Sequence, residues 1–347
     1  MLVIDGSMGE GGGQVLRTSL ALSLLTGTAF HMTKIRAGRS RPGLMRQHLT
    51  SVQAAAQIGS AEVTDAGVGA TELVFRPKGV QGGAYTFATG GAGSTTLVFQ
   101  TVLYPLLLAA KVPSTLRLEG GTHNPMAPPV DFLTTAFLPL LARMGARVDV
   151  ALERHGFYPA GGGAWSATVH PAAELSRLEL LERGEVRSRR ATAVVAQVPG
   201  SVAVRELDTL ATGLGWDRNA CRPLVVRDSN GPGNVLLATV ESEHVTEVFT
   251  AFGERGVRAE TVAKRVVDEA TRYLHAGVPV GEHLADQLLM PMALGGGGVF
   301  RTQRPSPHCL TQIALLETFL GVSIEAAHED DDVWRITVPA RASSRST

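Results

Sequence analysis

Aromatic residues and cysteines are scarce in this chain, and each shortage narrows what the protein can be. Aromatic side chains make up only 5% of the 347 residues, so the core must be built mostly from Leu, Val and Ala among the 44% that are hydrophobic. The two cysteines, Cys221 and Cys309, have neither a CxxC nor a Cys/His spacing, which argues against a zinc site. Two isolated cysteines also fit a reducing cytosol better than a disulfide framework.

Net charge and long apolar runs are also missing. The 32 acidic and 32 basic residues cancel, whereas proteins that coat nucleic acid non-specifically are usually clearly basic. The longest apolar run, Leu97–Ala110, contains Gln100 and Pro105 and is too short to span a membrane. Residues 1–17 lack the charged leader and apolar stretch of a signal peptide. We therefore expect a cytoplasmic protein without a membrane partner, ending in a disordered tail over 341–347.

The order of the predicted elements repeats three times along the chain. Each unit begins with a Gly-preceded apolar helix and continues with a short strand, a loop rich in Pro, Gly or Arg, a second helix and two closing strands. Such a unit predicts a small sheet with two helices on one face, and three units would pack around a common helical core. The first helices are expected at Gln14–Gly27, Ser94–Ala110 and Leu284–Leu294, and the strands that follow them at Phe30–Arg36, Thr115–Glu119 and Gly298–Thr302.

The stretch 182–277 interrupts this repeat. Its pattern predicts a strand at Ala191–Val198, a helix at Val204–Leu214, two further strands and two helical runs. We therefore predict an α/β fold of the α+β type with two domains. Three repeated units form a large catalytic domain from 1–181 and 278–340, and 182–277 forms a smaller inserted α/β domain.

Two of the four polar clusters in the chain lie in the first unit. "EGGGQVLR" (Glu10 to Arg17) is a Gly-rich loop at a helix start, which can present backbone N–H groups to an anion, and Glu10 could hold a divalent cation. The alternative is a tight turn with a solvated Glu. "IRAGRSRPGLMRQH" carries four arginines beside a helix start, and guanidinium groups suit phosphate; the alternative is a solvated basic loop. These arginines are Arg36, Arg39, Arg41 and Arg46.

The other two clusters lie in the third unit. In "GEHLADQ", Asp286 falls in the first turn of a predicted helix, where an acid also suits the helix dipole. In "RPSPHCLTQ", His308 follows two prolines at a helix start, a position that keeps an imidazole neutral and competent as a nucleophile toward phosphorus. The alternative for His308 is a capping or surface histidine. Cys309 competes as nucleophile, although the only base beside it in the sequence is His308.

The repeat gives these residues equivalent positions. Pseudo-symmetric packing would bring equivalent ends of the three units toward one cleft, so residues scattered along the chain could converge. The corresponding loop or second-helix start holds Arg39, Pro128 and His308, and the first helices hold Arg17, Gln100 and Asp286.

Taken together, these motifs resemble the RNA 3′-terminal phosphate cyclase family. The resemblance covers nearly the whole chain, from "DGSMGEGGGQVLR" through "IRAGRSRPGLMRQH", "GGAGSTTLVFQTVLYPLL", "GGTHNPMAPP", "RHGFYPAGGG" and "GPGN" to "GEHLADQLLMPMAL" and "PSPHCLTQIALLE". It implies a fold of three repeated α/β units with a smaller inserted domain. It also implies an ATP-dependent ligase that converts an RNA 3′-phosphate into a 2′,3′-cyclic phosphate.

The resemblance further implies which residues act. ATP and a divalent cation, Mg²⁺ or Mn²⁺, adenylylate a histidine that matches His308; the AMP passes to the RNA 3′-phosphate, and the ribose 2′-OH expels it. Glu10 matches the metal ligand. The implied ATP-binding residues are Gln100, Pro128, His283, Leu284, Ala285, Asp286 and Gln287, and the implied residues for RNA phosphate are Arg17, Arg36, Arg39 and Gln47.

One implied residue departs from the family pattern. His283 stands where the family usually has Tyr, which would sandwich adenine against Pro128. Because imidazole offers a smaller stacking surface than phenol, the affinity for ATP is the property that this departure affects.

Two other functions use a similar fold. Nucleolar cyclase-like factors act in ribosome assembly and lack the adenylylated histidine, whereas His308, Asp286 and Gln100 are all present here. Enolpyruvyl transferases rely on Lys and Arg contacts, and this chain has very few lysines. Covalent labelling with α-labelled ATP and magnesium would separate the three. The expected partner is RNA with a 3′-phosphate end, and the sequence allows a homodimer.

Overall fold

The computed structural model describes residues 1–341. Of the predicted disordered tail, residues 342–347 lie outside the described residues. No helix in 1–341 is both long enough and apolar enough to cross a bilayer.

The first repeated unit is a four-stranded sheet with two helices. Its elements are β1 (Leu2–Asp5), α1 (Gly13–Thr26), β2 (Phe30–Thr33), α2 (Arg46–Gly59), β3 (Glu62–Thr64) and β4 (Leu73–Arg76). The strand order is β1-β2-β4-β3, with β1 and β2 parallel and the other pairs antiparallel. Helix α1 ends at Gly27, whose φ of 69° is left-handed and costs a glycine no Cβ clash.

The second unit repeats this arrangement. Its elements are β5 (Ala84–Ala88), α3 (Thr95–Leu108), β6 (Ser114–Gly120), α4 (Val130–Phe132), α5 (Leu138–Arg143), β7 (Arg147–Arg154) and β8 (Gly163–His170). A π-helical turn, Leu133–Phe137, joins α4 to α5, so that the predicted second helix is continuous but irregular. The strand order β5-β6-β8-β7 is that of the first unit, and Leu116 pairs with Ala167 across its central antiparallel pair.

The interrupting stretch has a sheet and two helices of its own. It follows β9 (Leu178–Leu180) and contains β10 (Val186–Ala196), α6 (Gly200–Leu214), β11 (Cys221–Val226), β12 (Gly233–Ser242), β13 (Thr246–Phe252) and α7 (Ala259–Ala276), with strand order β11-β10-β12-β13. The prediction of two helical runs is wrong: the first run is β13 and only α7 is helical. The β-branched and aromatic residues of "TEVFTAF" pair with β12, which outweighs their helical spacing.

The third unit resumes after this stretch. It contains α8 (Glu282–Leu294), β14 (Gly298–Thr302), α9 (Pro307–Leu320), β15 (Glu325–Asp330) and β16 (Val333–Val338). The strand order β9-β14-β16-β15 is again that of the first unit. The α/β fold with repeated units is therefore confirmed. The sequence reading had missed the short first strand of each unit, namely β1, β5 and β9.

Two apolar cores meet at the sheet of the interrupting stretch. The helices α1, α2, α3, α8 and α9 of the repeated units pack on one another and hold the larger core. Residues of β10 and β12 alternate: Ala193 and Leu236 face a second core with α6 and α7, whereas Val194 and Val235 join the larger core. Both faces of this sheet are therefore buried where β10 and β12 pair, whereas most residues of the edge strand β11 are exposed. We propose 182–277 as an inserted domain that shares one face of its sheet with the repeated units.

Candidate active site

His308 stands in the first turn of α9. Ser306 caps this helix by accepting the Cys309 backbone N–H at 3.1 Å, and Pro307 occupies the first helical position, where no N–H is needed. The side chain of His308 is 46% exposed. Burial lowers its pKa, an effect that the charge of Asp286 opposes. The imidazole is therefore neutral at neutral pH.

A hydrogen-bond network determines which ring nitrogen of His308 is free. The Gln14 amide nitrogen Nε2 donates to the His308 carbonyl oxygen at 3.2 Å and to Gln312 Oε1 at 3.3 Å. The Gln14 amide oxygen therefore faces His308 Nδ1, 3.0 Å away, and accepts its proton. In this tautomer the lone pair is on Nε2, which lies 3.8 Å from Glu10 Oε1.

Glu10 and Arg39 form an ion pair beside His308. The Glu10 carboxylate is only 14% exposed and contacts the Arg39 guanidinium. The backbone N–H of Glu10 donates to Thr311 Oγ1 at 3.0 Å, and this hydrogen bond connects the Gly-rich loop of the first unit to α9. A Cβ on Gly12 would collide with the ends of the Glu10 and Arg39 side chains, so a larger residue at this position would displace the ion pair.

The candidate nucleotide residues join α3 to α8. Gln100 donates to Gln287 Oε1, and Gln287 Nε2 donates to Asp286 Oδ1 at 2.7 Å. Burial raises the pKa of Asp286; the Gln287 hydrogen bond and the charges of His283, His308 and Arg17 oppose that rise. The predicted residues Leu284 and Ala285 have their side chains in the apolar core, so only their backbone can face a ligand.

Pro128 and His283 lie at the edge of this region. The Pro128 carbonyl accepts a hydrogen bond from Thr96 Oγ1 at 2.7 Å, which fixes its loop to the start of α3. His283 is exposed, and its Nε2 lies 3.4 Å from Glu269 Oε1. No hydrogen bond or ion pair within 1–341 joins Pro128 directly to His283.

The remaining predicted residues surround a buried histidine. Burial lowers the pKa of Arg17 to about 10, and burial together with Arg17 and Arg36 lowers the pKa of His48 to about 3. His48 is therefore neutral, and its Nδ1 accepts the Met45 N–H at 3.1 Å. A Cβ on Gly13 would clash with His48 Nε2 and Arg17 Nη1, so these groups crowd the same side of α1.

Arg36 and Gln47 are partly engaged within the protein. One terminal nitrogen of Arg36 donates to the Arg41 carbonyl at 2.7 Å and the Gly43 carbonyl at 2.8 Å. Gln47 Oε1 accepts the Ser94 N–H at 3.1 Å, which links the first unit to the start of α3. Arg36 Nη2 and Gln47 Nε2 make no hydrogen bond or ion pair within the described residues.

The structure thus brings together residues from all three units, and some of them were not singled out from the sequence. Gln14 lies inside the "EGGGQVLR" cluster, and Gln312 inside "RPSPHCLTQ", so their positions in these clusters were the available signal. His48 and Thr311 likewise lie inside "IRAGRSRPGLMRQH" and "RPSPHCLTQ", whereas Thr18 is an ordinary residue of the first predicted helix. Thr18 Oγ1 donates to Gln312 Oε1 at 2.7 Å, a contact that only the packing of α1 on α9 creates.

The candidate metal ligand beside His308 is the carboxylate of Glu10. Residues 1–341 contain no group of three or more His, Cys, Asp or Glu side chains that could hold an ion. Glu10 alone fits a Mg²⁺ or Mn²⁺ that takes its other ligands from water and from the phosphates of a substrate. It does not fit an ion held in an all-protein cage.

Comparison with known proteins gives a match over most of the chain. Residues 8–326 match the family model described as RNA 3′-terminal phosphate cyclase. A relative named "RNA 3'-terminal phosphate cyclase" from Ralstonia nicotianae is 54% identical over 337 residues, which cover 96% of this chain and 96% of the relative. A relative of the same name from Koribacter versatilis is 50% identical over 331 residues, 95% of this chain and 93% of the relative.

Among solved structures, the chain matches EPSP synthase from Acinetobacter baumannii. The TM-score is 0.28 at 11% identity, and the match covers 93% of this chain and 62% of that chain. A likeness this low supports no conclusion about fold or function.

Proposed function

Because this chain belongs to the RNA 3′-terminal phosphate cyclase family, a family of enzymes, we propose that it converts RNA 3′-phosphate ends into 2′,3′-cyclic phosphates at the expense of ATP. The reaction proceeds through a histidine–AMP intermediate on His308 and then an RNA–adenylate. The enzyme acts in the cytoplasm. Its partner is RNA with a 3′-phosphate end.

The observation that supports this most strongly is the contact of His308 Nδ1 with the Gln14 amide oxygen, from which the tautomer is assigned. A nucleophile toward phosphorus needs an unprotonated nitrogen that faces the substrate. The Gln14 oxygen accepts a hydrogen bond from the Nδ1–H group of His308, and Nε2 points toward the Glu10–Arg39 pair. Once Nε2 carries a phosphoryl group, the Nδ1–H becomes more acidic and its hydrogen bond to Gln14 becomes stronger.

The proposed reaction has three displacements at phosphorus. His308 Nε2 attacks the α-phosphorus of ATP; the N–P bond forms, the bond to the β-phosphate oxygen breaks, and pyrophosphate leaves. An oxygen of the RNA 3′-phosphate attacks the same phosphorus and breaks the N–P bond, which returns a neutral His308. The ribose 2′-OH then attacks the 3′-phosphorus, loses its proton to solvent and displaces AMP. Activation is needed because a phosphate monoester is a poor electrophile with no good leaving group.

The surrounding residues divide into two groups in this scheme. The first group binds the nucleoside and consists of the side chains of Gln100, Asp286, Gln287, Pro128 and His283 and the backbone of Leu284 and Ala285. Arg17, Arg36, Arg39 and Gln47 bind the RNA phosphate and the leaving pyrophosphate, since guanidinium groups hold phosphate oxygens by charge-assisted pairs. Glu10 would hold the divalent cation, which supplies positive charge to the triphosphate when bound.

The non-catalytic alternative, a cyclase-like ribosome assembly factor, has no observation in its favour. The relatives at 54% and 50% identity carry the name of the enzyme. His308 also has the neighbours that a nucleophile needs.

The test is covalent labelling followed by end analysis. The protein is incubated with α-labelled ATP and Mg²⁺; we expect an acid-labile protein–AMP adduct, and conversion of a 3′-phosphorylated RNA to a phosphatase-resistant end. His308→Ala should lose both by about 10³-fold or more. The matched control is His275→Ala, which removes an exposed histidine near the end of α7. An adduct of normal yield on His308→Ala would contradict the proposal and make Cys309 the next residue to test.

A further inference from the structure

The interrupting stretch places a buried carboxyl group at the start of α8. Glu247, on β13, is 2% exposed, and its Oε1 accepts the Gly281 backbone N–H at 2.6 Å. Gly281 is the N-cap residue of α8, the helix that carries His283 and Asp286. Because the first N–H groups of a helix have no partner inside it, this contact from another domain anchors the end of α8 that faces the proposed nucleotide.

A second carboxylate from the same stretch reaches a side chain of that site. Glu269, on α7, has Oε1 3.4 Å from His283 Nε2, with the glutamate 21% and the histidine 65% exposed. Burial raises the pKa of Glu269, and the charge of His283 opposes that rise. The other titratable groups that interact with Glu269 are Glu282, Arg272 and Glu247. The better-buried carboxylate is therefore the fixed partner, and the exposed imidazole is the group it orients.

A carboxylate that fixes the ring beforehand should improve base binding more for an imidazole than for a larger ring. His283 is exposed and free to rotate about two side-chain bonds unless a contact holds it, and ordering a side chain on ligand binding costs free energy. A phenol ring has more area to stack on a base and so can offset that cost, whereas imidazole has less. Fixing the ring beforehand reduces the cost.

We propose that Glu269 is a positioning residue of the nucleotide site: it orients the His283 ring for stacking on the adenine base, so that 182–277 contributes to ATP recognition. The inference rests on the proposed function, because it takes an adenine nucleotide as the ligand of α8. The Glu247 contact supports it by holding the backbone of α8 at a fixed place relative to α7.

The test is a double-mutant cycle on nucleotide binding. The ligand is α,β-methylene-ATP, which cannot transfer its adenylyl group, and its Kd is measured by calorimetry with Mg²⁺. Glu269→Gln keeps the size of the side chain and removes its charge. We expect a Kd about two- to fivefold higher, the range for a partly exposed ion pair. In a His283→Phe background, where the ring has no N–H, Glu269→Gln should leave Kd unchanged.

Two controls separate positioning from a general effect. Glu282→Gln removes a charge next to His283 without removing its partner and should leave Kd within twofold of the parent. Melting temperatures of all variants test whether Glu269→Gln merely loosens the fold. Transfer of AMP from preloaded Glu269→Gln enzyme to RNA should run at the parent rate, since the AMP is already attached to His308 through its phosphorus.

The outcomes also distinguish this inference from the proposed function. Equal effects of Glu269→Gln in the two backgrounds, or no effect in either, would overturn the positioning role. A parent protein that binds the analogue but forms no AMP adduct would refute the proposed function and leave the positioning role standing. A parent protein that binds no adenine nucleotide would refute both.

Discussion

At the scale of single residues, the proposed function gives the two ring nitrogens of His308 different tasks. Nδ1 donates to Gln14, whose amide is itself oriented by two further hydrogen bonds, and Nε2 faces Glu10. A histidine without such a partner would exchange between tautomers and rotate, so only a fraction of molecules would present a lone pair to a substrate.

Replacement of Gln14 tests this arrangement. We expect Gln14→Ala to slow adenylylation about fivefold, the equivalent of roughly 1 kcal/mol for one hydrogen bond. Gln14→Glu keeps an acceptor opposite Nδ1 and should slow adenylylation less than Gln14→Ala does. The measurement is the single-turnover rate of covalent labelling with α-labelled ATP. A Gln14→Ala enzyme as fast as the parent would mean that the helix alone orients His308.

Replacement of Arg39 tests the phosphate-binding role. A guanidinium holds phosphate through two parallel N–H groups, and an ammonium cannot reproduce this geometry. Arg39→Ala should lower the transfer rate by about 10²- to 10³-fold, and Arg39→Lys should not restore it. The assay is single-turnover transfer from AMP-loaded enzyme to an RNA 3′-phosphate. The control is Arg41→Ala, whose side chain is exposed in the same loop. Transfer at the parent rate by loaded Arg39→Ala would leave Arg39 only its pairing with Glu10.

At the scale of elements, the site is built where helix starts and Gly-rich loops meet. The first turns of α8 and α9 carry His283 and His308, and the loop before α1 carries Glu10. Side chains from other elements accept backbone N–H groups at these positions: Glu247 accepts the N–H of Gly281, and Thr311 accepts the N–H of Glu10. Each end therefore depends on an element distant in the sequence.

The Glu247 contact predicts a pH dependence of stability. Burial raises the pKa of Glu247 from its ordinary 4.5 to about 8. Below pH 4.5 the carboxyl is protonated in both folded and unfolded chains, and its contribution is fully present. Between about pH 4.5 and 8 only the unfolded chain ionises, so the contribution is lost as pH rises. Glu247→Gln does not titrate.

Thermal unfolding at several pH values measures this effect. The melting temperature of the parent, relative to Glu247→Gln, should fall by a few degrees between about pH 5 and pH 8. The comparison with Gln cancels the other titrating groups. A constant difference over that range would show that Glu247 is already ionised in the folded protein.

At the scale of the whole molecule, the proposed inserted domain, 182–277, shares apolar contacts with the repeated units. Val194, Leu237 and Val248 of its sheet belong to the larger core, while the opposite face packs on α6 and α7. β13 also contacts the π-helical turn of the second unit. Removing the insertion would therefore expose an apolar surface on what remains.

Excision of the insertion tests this dependence. A protein in which a short Gly/Ser linker replaces 182–277 should lack a cooperative thermal transition and should bind the dye ANS. It should also form no AMP adduct, because the start of α8 loses its Glu247 anchor. Circular dichroism and dye fluorescence, with the full chain as control, give the answer. A cooperative transition near the parent temperature would mean that the larger core closes without the insertion.

The sequence by itself determined the class of fold and most of its long elements. The three apolar helices, such as α3 over Thr95–Leu108, begin and end within two residues of the expected positions where Gly and capping residues mark their ends. The family also followed from motif order, because eight motifs in one order are specific even though each is weak. The local pattern predicted a helical run where the structure has β13. The residues of β13 suit either a helix or a strand, and pairing with β12 selects the strand.

Only the tertiary structure decided how the site residues meet. Gln14 and His308 are 294 positions apart, and Gln100 and Gln287 are 187 apart, so no local pattern could pair them. The same holds for Glu269 on His283, which crosses from the inserted domain to α8. Hydrogen bonds and ion pairs form over about 3 Å in space whatever the distance along the chain. Sequence periodicity reports which face of an element is apolar, whereas the packing of elements determines which polar groups touch.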